Sequence, residues 1–562
     1  MHGSKTDVAN WFSRWGLFLL VGIVVIVVTV LPLGTVLFGG FFKSGSVGFE
    51  FTLEPLQRVF SKSEYWAAAA NTIVIGLGAT LLACVLGVSL AWALVRTNVP
   101  YATLLEQLAT VPIFIPPFVG AFAWILLAAP RVGLFNLPFS WAFGVEPFNV
   151  YTYAGIAWVI GIYVAPYVMM IVGSALRSMD PSLEEAGQIS GLSRARTVFK
   201  ITLPVIAPAI LSGATLTFVI TIGLFGTPVL LGWTKQILLL TSRIYVEGQS
   251  QPPAYDVMAI LAVILIMMSV AAMALQRVVL SGRSFITVTG KGFRTRPVKL
   301  GAVRFVLLAF ILVYILFTVV APIATVLAAS LMSFTWSGRL TLDNFNELLS
   351  SGDVLQTFWN SLKITFLAAT LATVLAIAVS WISQRTRLRG RMLLEYAVLS
   401  PIAVPGMAFA IGVMFLWLRA PIEMYGTMWI IIIAFIGRFT GYAVRTISGS
   451  LVQVHPELEE SARISGCGWF GTLTKITLPL IRPSIVSSWI LLYSIFITEL
   501  SMVILLHTTD TRTFSILTFE TWYAGNFSLV SGLSLLQLLV GVTVMYAVQT
   551  FSGGHRKVGG SV

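Results

Sequence analysis

The sequence predicts an all-α polytopic membrane protein, with about 12 transmembrane helices arranged as two parallel six-helix repeats. Three observations predict it. The first is composition: of 562 residues, 57% are hydrophobic and 10% charged, with a mean hydropathy of +0.91, whereas a soluble domain is roughly 25% charged. The second is length: apolar runs of about 18 or more residues recur along the chain, each enough to cross the hydrocarbon core as a helix. Barrel strands would instead read as short alternating segments. The third is a polar, charged stretch that occurs twice with the same internal spacing. One copy is Glu185-Ala186-Gly187, Gly191 and Ile201-Thr202-Leu203-Pro204; the other is Glu460-Ser461-Ala462, Gly466 and Ile476-Thr477-Leu478-Pro479. The offset is 460 − 185 = 275 residues, and repetition at a fixed offset reports architecture.

In chain order, Lys5 and Arg14 precede an apolar run near 16–38. It is longer than a signal-peptide core and lacks a small-x-small cleavage site, so it reads as a retained first helix. The first half, 1–278, then offers helices near 66–95, 107–129, 151–175, 205–231 and 254–278. A basic linker, 279–304, follows without Asp or Glu. The second half, 305–562, offers helices near 305–332, 357–382, 395–418, 424–447, 482–506 and 526–549. Asn71-Thr72 matches Asn360-Ser361 at an offset of 360 − 71 = 289, as Pro112 and Pro116 match Pro401 and Pro405. The fall from 289 to 275 requires 289 − 275 = 14 extra residues in the first half, placed in the loop around 130–150.

The net charge of +13 would point to nucleic acid in a soluble protein. Here most of the cations, about 24 against about 10, sit in loops on one side, among them Arg96, Arg177, Arg194, Arg196 and Lys200, the linker, and Arg385 to Arg391. They orient the helices by the positive-inside rule, and no nucleic-acid partner is expected. An even helix number puts both termini and both charged repeats in the cytoplasm, and equal orientation makes the repeat parallel. Cys84 and Cys467 form neither a pair nor a metal cluster, and Met267 and Met268 read as apolar packing.

Each charged stretch has a local logic. Asp180 suits a helix N-cap with Pro181 at the first helical position. Glu184 and Glu185 suit the positive end of the helix dipole, and Gly191 suits a C-terminal break. Pro456, Glu459, Glu460 and Gly466 repeat this. The expected result is a short helix on the cytoplasmic face, joined through a glycine bend to the next membrane helix and suited to docking a soluble partner.

The pattern Glu-Ala-x-x-x-x-Gly, nine residues, then Ile-x-Leu-Pro resembles the EAA loop of ABC importer permeases, and the resemblance covers essentially the whole chain. It implies the type I importer permease fold, in the fused form with both halves in one polypeptide. It implies that Glu185, Ala186, Gly191, Leu203 and Pro204, and in the second copy Glu460, Ala462, Gly466, Leu478 and Pro479, couple to ATPase subunits. Gly187 and Ser461 depart from the usual Ala but stay small. No G-x-x-x-x-G-K-[ST] loop is present, so the chain needs no cofactor of its own: ATP and Mg would be bound, and ATP hydrolysed, by two copies of a partner ATPase. An extracytoplasmic binding protein would deliver the cargo, with the outer loops near 39–65, 232–253, 334–356 and 507–525 as its candidate docking surfaces. Among fused permeases the chain most resembles the ferric-iron class, through Phe225-Gly226-Thr227-Pro228-Val229-Leu230-Leu231-Gly232, Thr241-Ser242-Arg243-Ile244-Tyr245, Val288-Thr289-Gly290-Lys291-Gly292 and Glu499-Leu500-Ser501. Permeases for thiamine, polyamines and phosphonates share the architecture.

Arg438 lies within the tenth predicted helix and Glu499 within the eleventh, with Tyr163 and Leu224 at the corresponding first-half positions. Buried charge at that depth is costly and marks a functional candidate. The two are expected to pair, either near the pathway or as a structural tie. Pro116, Pro117 and Pro405 interrupt matching helices, where freed carbonyls line a pathway or permit bending. A rival class, an ion-coupled secondary transporter, gains from Arg438 and Glu499 but has no use for paired cytoplasmic loops. A membrane enzyme finds no support, because the four His are scattered.

Overall fold

The computed structural model describes residues 15–41, 51–281, 298–333 and 338–553. The basic stretch of the linker from Arg283 to Arg296, with Val288 to Gly292, lies outside the described residues, as do Lys5 and Arg14. Among the described residues the chain is helical, with single bridges joining Thr97 to Val298 and Met332 to Leu340.

Ten helices correspond between the halves in the same order, with the shorter helices Glu54–Ser61, Asn136–Phe143 and Asp343–Ser350 in the connections between them. The first half runs α1 (Trp15–Gly39), α2 (Ser63–Arg96), α3 (Ala102–Phe114), α4 (Pro117–Ala128), α5 (Tyr153–Ser178), α6 (Ser182–Ile189), α7 (Val198–Gly223), α8 (Gly226–Gly232), α9 (Leu240–Gly248) and α10 (Tyr255–Leu280). The second runs α11 (Val303–Ser330), α12 (Gly352–Arg385), α13 (Arg391–Ala403), α14 (Gly406–Arg419), α15 (Met428–Gln453), α16 (Pro456–Ile464), α17 (Trp469–Thr498), α18 (Val503–Leu506), α19 (Phe514–Tyr523) and α20 (Phe527–Gly553). Nine of the described helices are long and apolar enough to cross a membrane, and the bent pairs α3–α4 and α13–α14 bring the number to eleven. α20 is a further helix of 27 residues.

Besides 107–129 and 395–418, which break at the prolines, the predicted helices 205–231 and 482–506 are not continuous. α7 ends at Gly223 with Leu224 extended, and α17 ends at Thr498 with Glu499 extended. The short α8 and α18 follow each break. The extra residues of the first half lie between α4 and α5, where 129–152 replaces the second half's 420–427 and carries its own helix, Asn136–Phe143.

The repeated Asn71-Thr72 and Asn360-Ser361 do the same work in each half. Asn71 Nδ2 donates to the Leu238 carbonyl (3.0 Å), and Thr72 Oγ1 accepts from the Leu240 N–H (2.9 Å) that opens α9. Asn360 Nδ2 donates to the Asp510 carbonyl (2.9 Å), and Ser361 Oγ accepts from the Phe514 N–H (2.6 Å) that opens α19. Helix N-termini present unsatisfied N–H groups. In a bilayer these must find protein partners, and a hydroxyl from a neighbouring span supplies one.

The first helix of each half packs on the other half. Thr35 Oγ1 of α1 donates to the Gly412 carbonyl of α14 at 2.7 Å. A Cβ added at Gly412 or Gly437 would collide with the Pro32 or Val28 carbonyl of α1, so glycine is what admits the helix. Reciprocally, Tyr314 Oη of α11 donates to the Ile162 carbonyl of α5 at 2.9 Å, and the Phe317 ring stacks on Trp124. Close approach over small residues is the usual way helices associate in lipid.

Candidate functional site

α6 and α16 follow α5 and α15 and lie on one face of the bundle. Asp180 Oδ1 accepts from the Ser182 N–H at 2.9 Å, satisfying one free donor at the start of α6. Both helices end the same way. Gly191 and Gly466 each have φ +87, a region costly for residues with a Cβ. The Leu192 N–H reaches back to the Gly187 carbonyl, and the Cys467 N–H to the Ala462 carbonyl, each at 3.0 Å. This is the six-residue closure of a glycine-ended helix.

Two adjacent glutamates divide the work. Glu184, not Glu185, turns inward. Its Oε2 lies 2.7 Å from Arg96 Nη2 at the end of α2, and its Oε1 accepts from Thr202 Oγ1 at 2.6 Å. The Arg96 side chain is 1% exposed. In the second half Glu459 Oε1 lies 3.0 Å from Arg385 Nε and accepts from Thr477 Oγ1 at 3.0 Å. Arg385 also donates to the Leu451 and Val454 carbonyls, and Arg463 sits 3.7 Å from Glu459. Both threonines lie in single π-helical turns, Val198–Thr202 and Leu473–Thr477, a distortion frequent at functional sites. The pairs Arg96–Arg385 (385 − 96 = 289) and Glu184–Glu459 (459 − 184 = 275) share the repeat's offsets, which is the signal that marks them.

Helical spacing explains which carboxylate turns in. Residues three apart share a face. Glu184 stands with buried Gly187, and Glu459 with buried Ala462. Glu185 and Ile189, four apart, share the opposite face, as do Glu460 and Ile464, and all four are exposed. Ile189 and Ile464 are each 88% exposed, and Leu183 and Leu458 are exposed in register with them. Ala186 is exposed. Leu203 and Leu478 are half-buried, and Pro204 and Pro479 exposed, at the start of α7 and α17. Each half therefore presents a short helix with one carboxylate locked into the bundle and the next offered outward beside two apolar side chains.

Pro116 and Pro117 stand at the junction of α3 and α4, which meet at 99°; Pro405 stands at the junction of α13 and α14, which meet at 117°. Each junction faces the other half. Gly223, at the end of α7, abuts Pro405, and Gly541 of α20 abuts the Phe114 carbonyl. Thr227 Oγ1 donates to the Pro117 carbonyl at 2.8 Å. Beyond the junctions Phe225 and Tyr245 of the first half meet Phe519 of the second, with ring centroids 5.6 and 5.8 Å away, and Phe118 lies 6.2 Å from Phe519. Sequence reasoning missed this aromatic contact between the halves.

The expected pairing of Arg438 with Glu499 is not what the structure shows: no ion pair within 4.0 Å joins them among the described residues. Glu499 lies at the α17 break, and its Oε1 accepts from the Met502 N–H at 3.0 Å, meeting a donor freed by the break. Arg438 is buried in α15, its guanidinium 5.1 Å from the Phe439 ring, with the Ile402 carbonyl of the α13–α14 junction at 3.5 Å.

On the opposite face from α6 and α16, Arg243 joins Glu64 (2.7 Å) to Glu247 (3.0 Å), and Arg512 joins Asp353 (2.8 Å) to Glu520 (3.6 Å). Thr241 Oγ1 donates to the Leu224 carbonyl at 2.8 Å, so the Thr241–Tyr245 stretch ties α9 to the end of α7. Among the described residues no group of three His, Cys, Asp or Glu is placed to hold a metal ion.

The family model for the inner membrane component of binding-protein-dependent transport systems matches residues 83–283 and 372–553. The chain belongs to this family. Each match takes in one of the two short helices, α6 or α16. The permease is 25% identical to the ferric transport system permease protein FbpB of Actinobacillus pleuropneumoniae, over 83% of this chain and 68% of that one. It is 24% identical to the Fe(3+)-transport system permease protein FbpB 2 of Haemophilus influenzae, over 84% of this chain and 87% of that one. It is 28% identical to the sulfate transport system permease protein CysT of Salmonella typhimurium, over 36% of this chain and 76% of that one. The permease is therefore a multi-pass inner-membrane subunit of an ABC importer, a transport component rather than an enzyme, that works with a binding protein.

Proposed function

We propose that this permease moves ferric iron from an extracytoplasmic binding protein into the cytoplasm, driven by two ATPase subunits that seat on α6 and α16. The observation that carries the ATPase assignment is the matched pair of helices, each locked by a buried Arg–Glu contact and each presenting a glutamate with exposed Leu and Ile. Contiguous exposed apolar side chains on a polar face favour a protein partner. ATP and Mg are bound by that partner. In this reading the face carrying α6 and α16 is cytoplasmic, as are both termini, and the halves rock against each other at the aromatic contact around Phe519 as the ATPases close. Ferric iron as cargo is supported by the relatives named for ferric transport, which match along most of the chain.

The test is uptake of radiolabelled Fe(III) in cells with the permease, without it, and with Glu185→Ala combined with Glu460→Ala. Uptake should require the permease and fall at least about tenfold in the double variant, the loss of one charged contact at each of two interfaces. Uptake independent of the permease rejects iron and moves the cargo to thiamine, a polyamine, a phosphonate or sulfate. Full uptake in the double variant rejects the outward glutamates as the coupling contacts.

A further inference from the structure

The loop that breaks the equivalence of the halves, 129–152, is built rigidly yet shows an apolar face. Asn136 is fully buried and holds the loop together: its Nδ2 donates to the Ala129 and Phe148 carbonyls (2.9 and 2.8 Å), and its Oδ1 accepts from the Phe148 N–H (3.0 Å). The Leu134 and Phe135 N–H groups donate back to the Leu126 and Leu127 carbonyls of α4. From this base the helix Asn136–Phe143 projects, and every residue from 137 to 148 is exposed. Trp141 is 91% exposed and Phe143 74%, with Phe139 beside Phe143. The helix carries no charge; Arg131 and Glu146 flank it.

Three observations choose the occupant of this face. The loop sits on the perimeter of the bundle: the Phe135 ring lies 5.8 Å from Phe317 of α11, whose neighbours Leu312, Val313, Leu316 and Val320 face outward as apolar side chains. The aromatic contact that joins Phe225 and Tyr245 to α19 lies apart from it, around buried Phe519. The height is also right. Exposed aromatics mark the outer ends of spans all round the molecule, at Trp66 of α2, Tyr153 of α5, Trp359 of α12 and Trp429 of α15, and the loop leads directly into Tyr153. Such aromatics settle at the membrane–water interface, and the Asn136–Phe143 helix, uncharged and bearing Trp141 and Phe143, has no charged group to hold it away from that zone.

We propose that the Asn136–Phe143 helix is an interfacial anchor, seating Trp141 and Phe143 at the headgroup–acyl boundary of the outer leaflet beside α5 and α11. It fixes one half against the lipid on a side where the other half has no equivalent.

The test uses the full-length permease in phosphatidylethanolamine–phosphatidylglycerol nanodiscs, so that both faces meet the buffer. In a background carrying C84S and C467S, a nitrobenzoxadiazole probe is attached at Trp141→Cys, at Phe143→Cys and, as a reference, at Glu423→Cys in the short loop of the second half. The proposal expects iodide quenching about threefold weaker at 141 and 143 than at 423, with strong quenching at 141 and 143 by lipids brominated near the glycerol end. Iodide quenching at 141 and 143 equal to that at 423, without quenching by brominated lipid, overturns it and leaves the surface free for a protein.

Discussion

At the level of single residues, the Glu184–Glu185 and Glu459–Glu460 steps separate two roles that one motif contains. The inner carboxylate of each pair is buried against an arginine, and removing one partner of such a contact leaves the other charge uncompensated. Glu184→Ala or Arg96→Ala should therefore cost about 3–5 kcal/mol, seen as a lower thermal unfolding midpoint of the purified permease. Glu185→Ala lies on the exposed face and should shift stability by no more than about 0.5 kcal/mol. The motif's spacing was readable in the sequence, but which glutamate turned inward was not, because both are equally polar. The face was decided by Gly187 and Ala462, three residues on. Arg438 and Glu499 taught the opposite lesson. Both were visible as intramembrane charges, but they form no direct ion pair within 4.0 Å, Glu499 instead accepting from the Met502 N–H at the α17 break.

For the elements, the glycine ends of α6 and α16 carry a sharp prediction. A Cβ at either glycine meets nothing within 4 Å, so the cost of substitution comes only from the positive φ. Gly191→Val and Gly466→Val should each lose transport while the protein remains in the membrane, checked by uptake alongside membrane immunoblotting. Loss of the protein from the membrane would instead mean that the bend is needed for folding. Repeat offsets made these elements legible, as they did the loop of extra residues. The breaks that create α8 and α18 were hidden, because the helices on either side are apolar enough that hydropathy reads one continuous run across them, Glu499 included.

Across the whole molecule, the sequence pattern divides the chain into halves, yet the structure interlocks them. α1 rests on α14 and α15, and α11 on α4 and α5. Such contacts leave no local trace, since a lipid-facing helix and one facing a partner half are equally apolar. Cutting the chain within 282–297 and expressing the pieces together should give two fragments that copurify in equal amounts. Gly412→Leu, which places a side chain against the Pro32 carbonyl, should abolish that copurification. Full copurification of the Gly412→Leu fragments would show that the other contacts suffice.

The interlocking also sets a schedule for the ribosome. Thr35 and its acceptor Gly412 are 377 residues apart, and at bacterial elongation speeds of about 5–20 residues per second the interval is roughly 20 to 75 s. During that time α1 is already inserted while its resting place has yet to be synthesised, whereas α11 emerges to find its own site complete. The nascent permease is thus asymmetric in time although nearly symmetric when finished, and the insertion machinery must hold its earliest helix in lipid until the second half arrives.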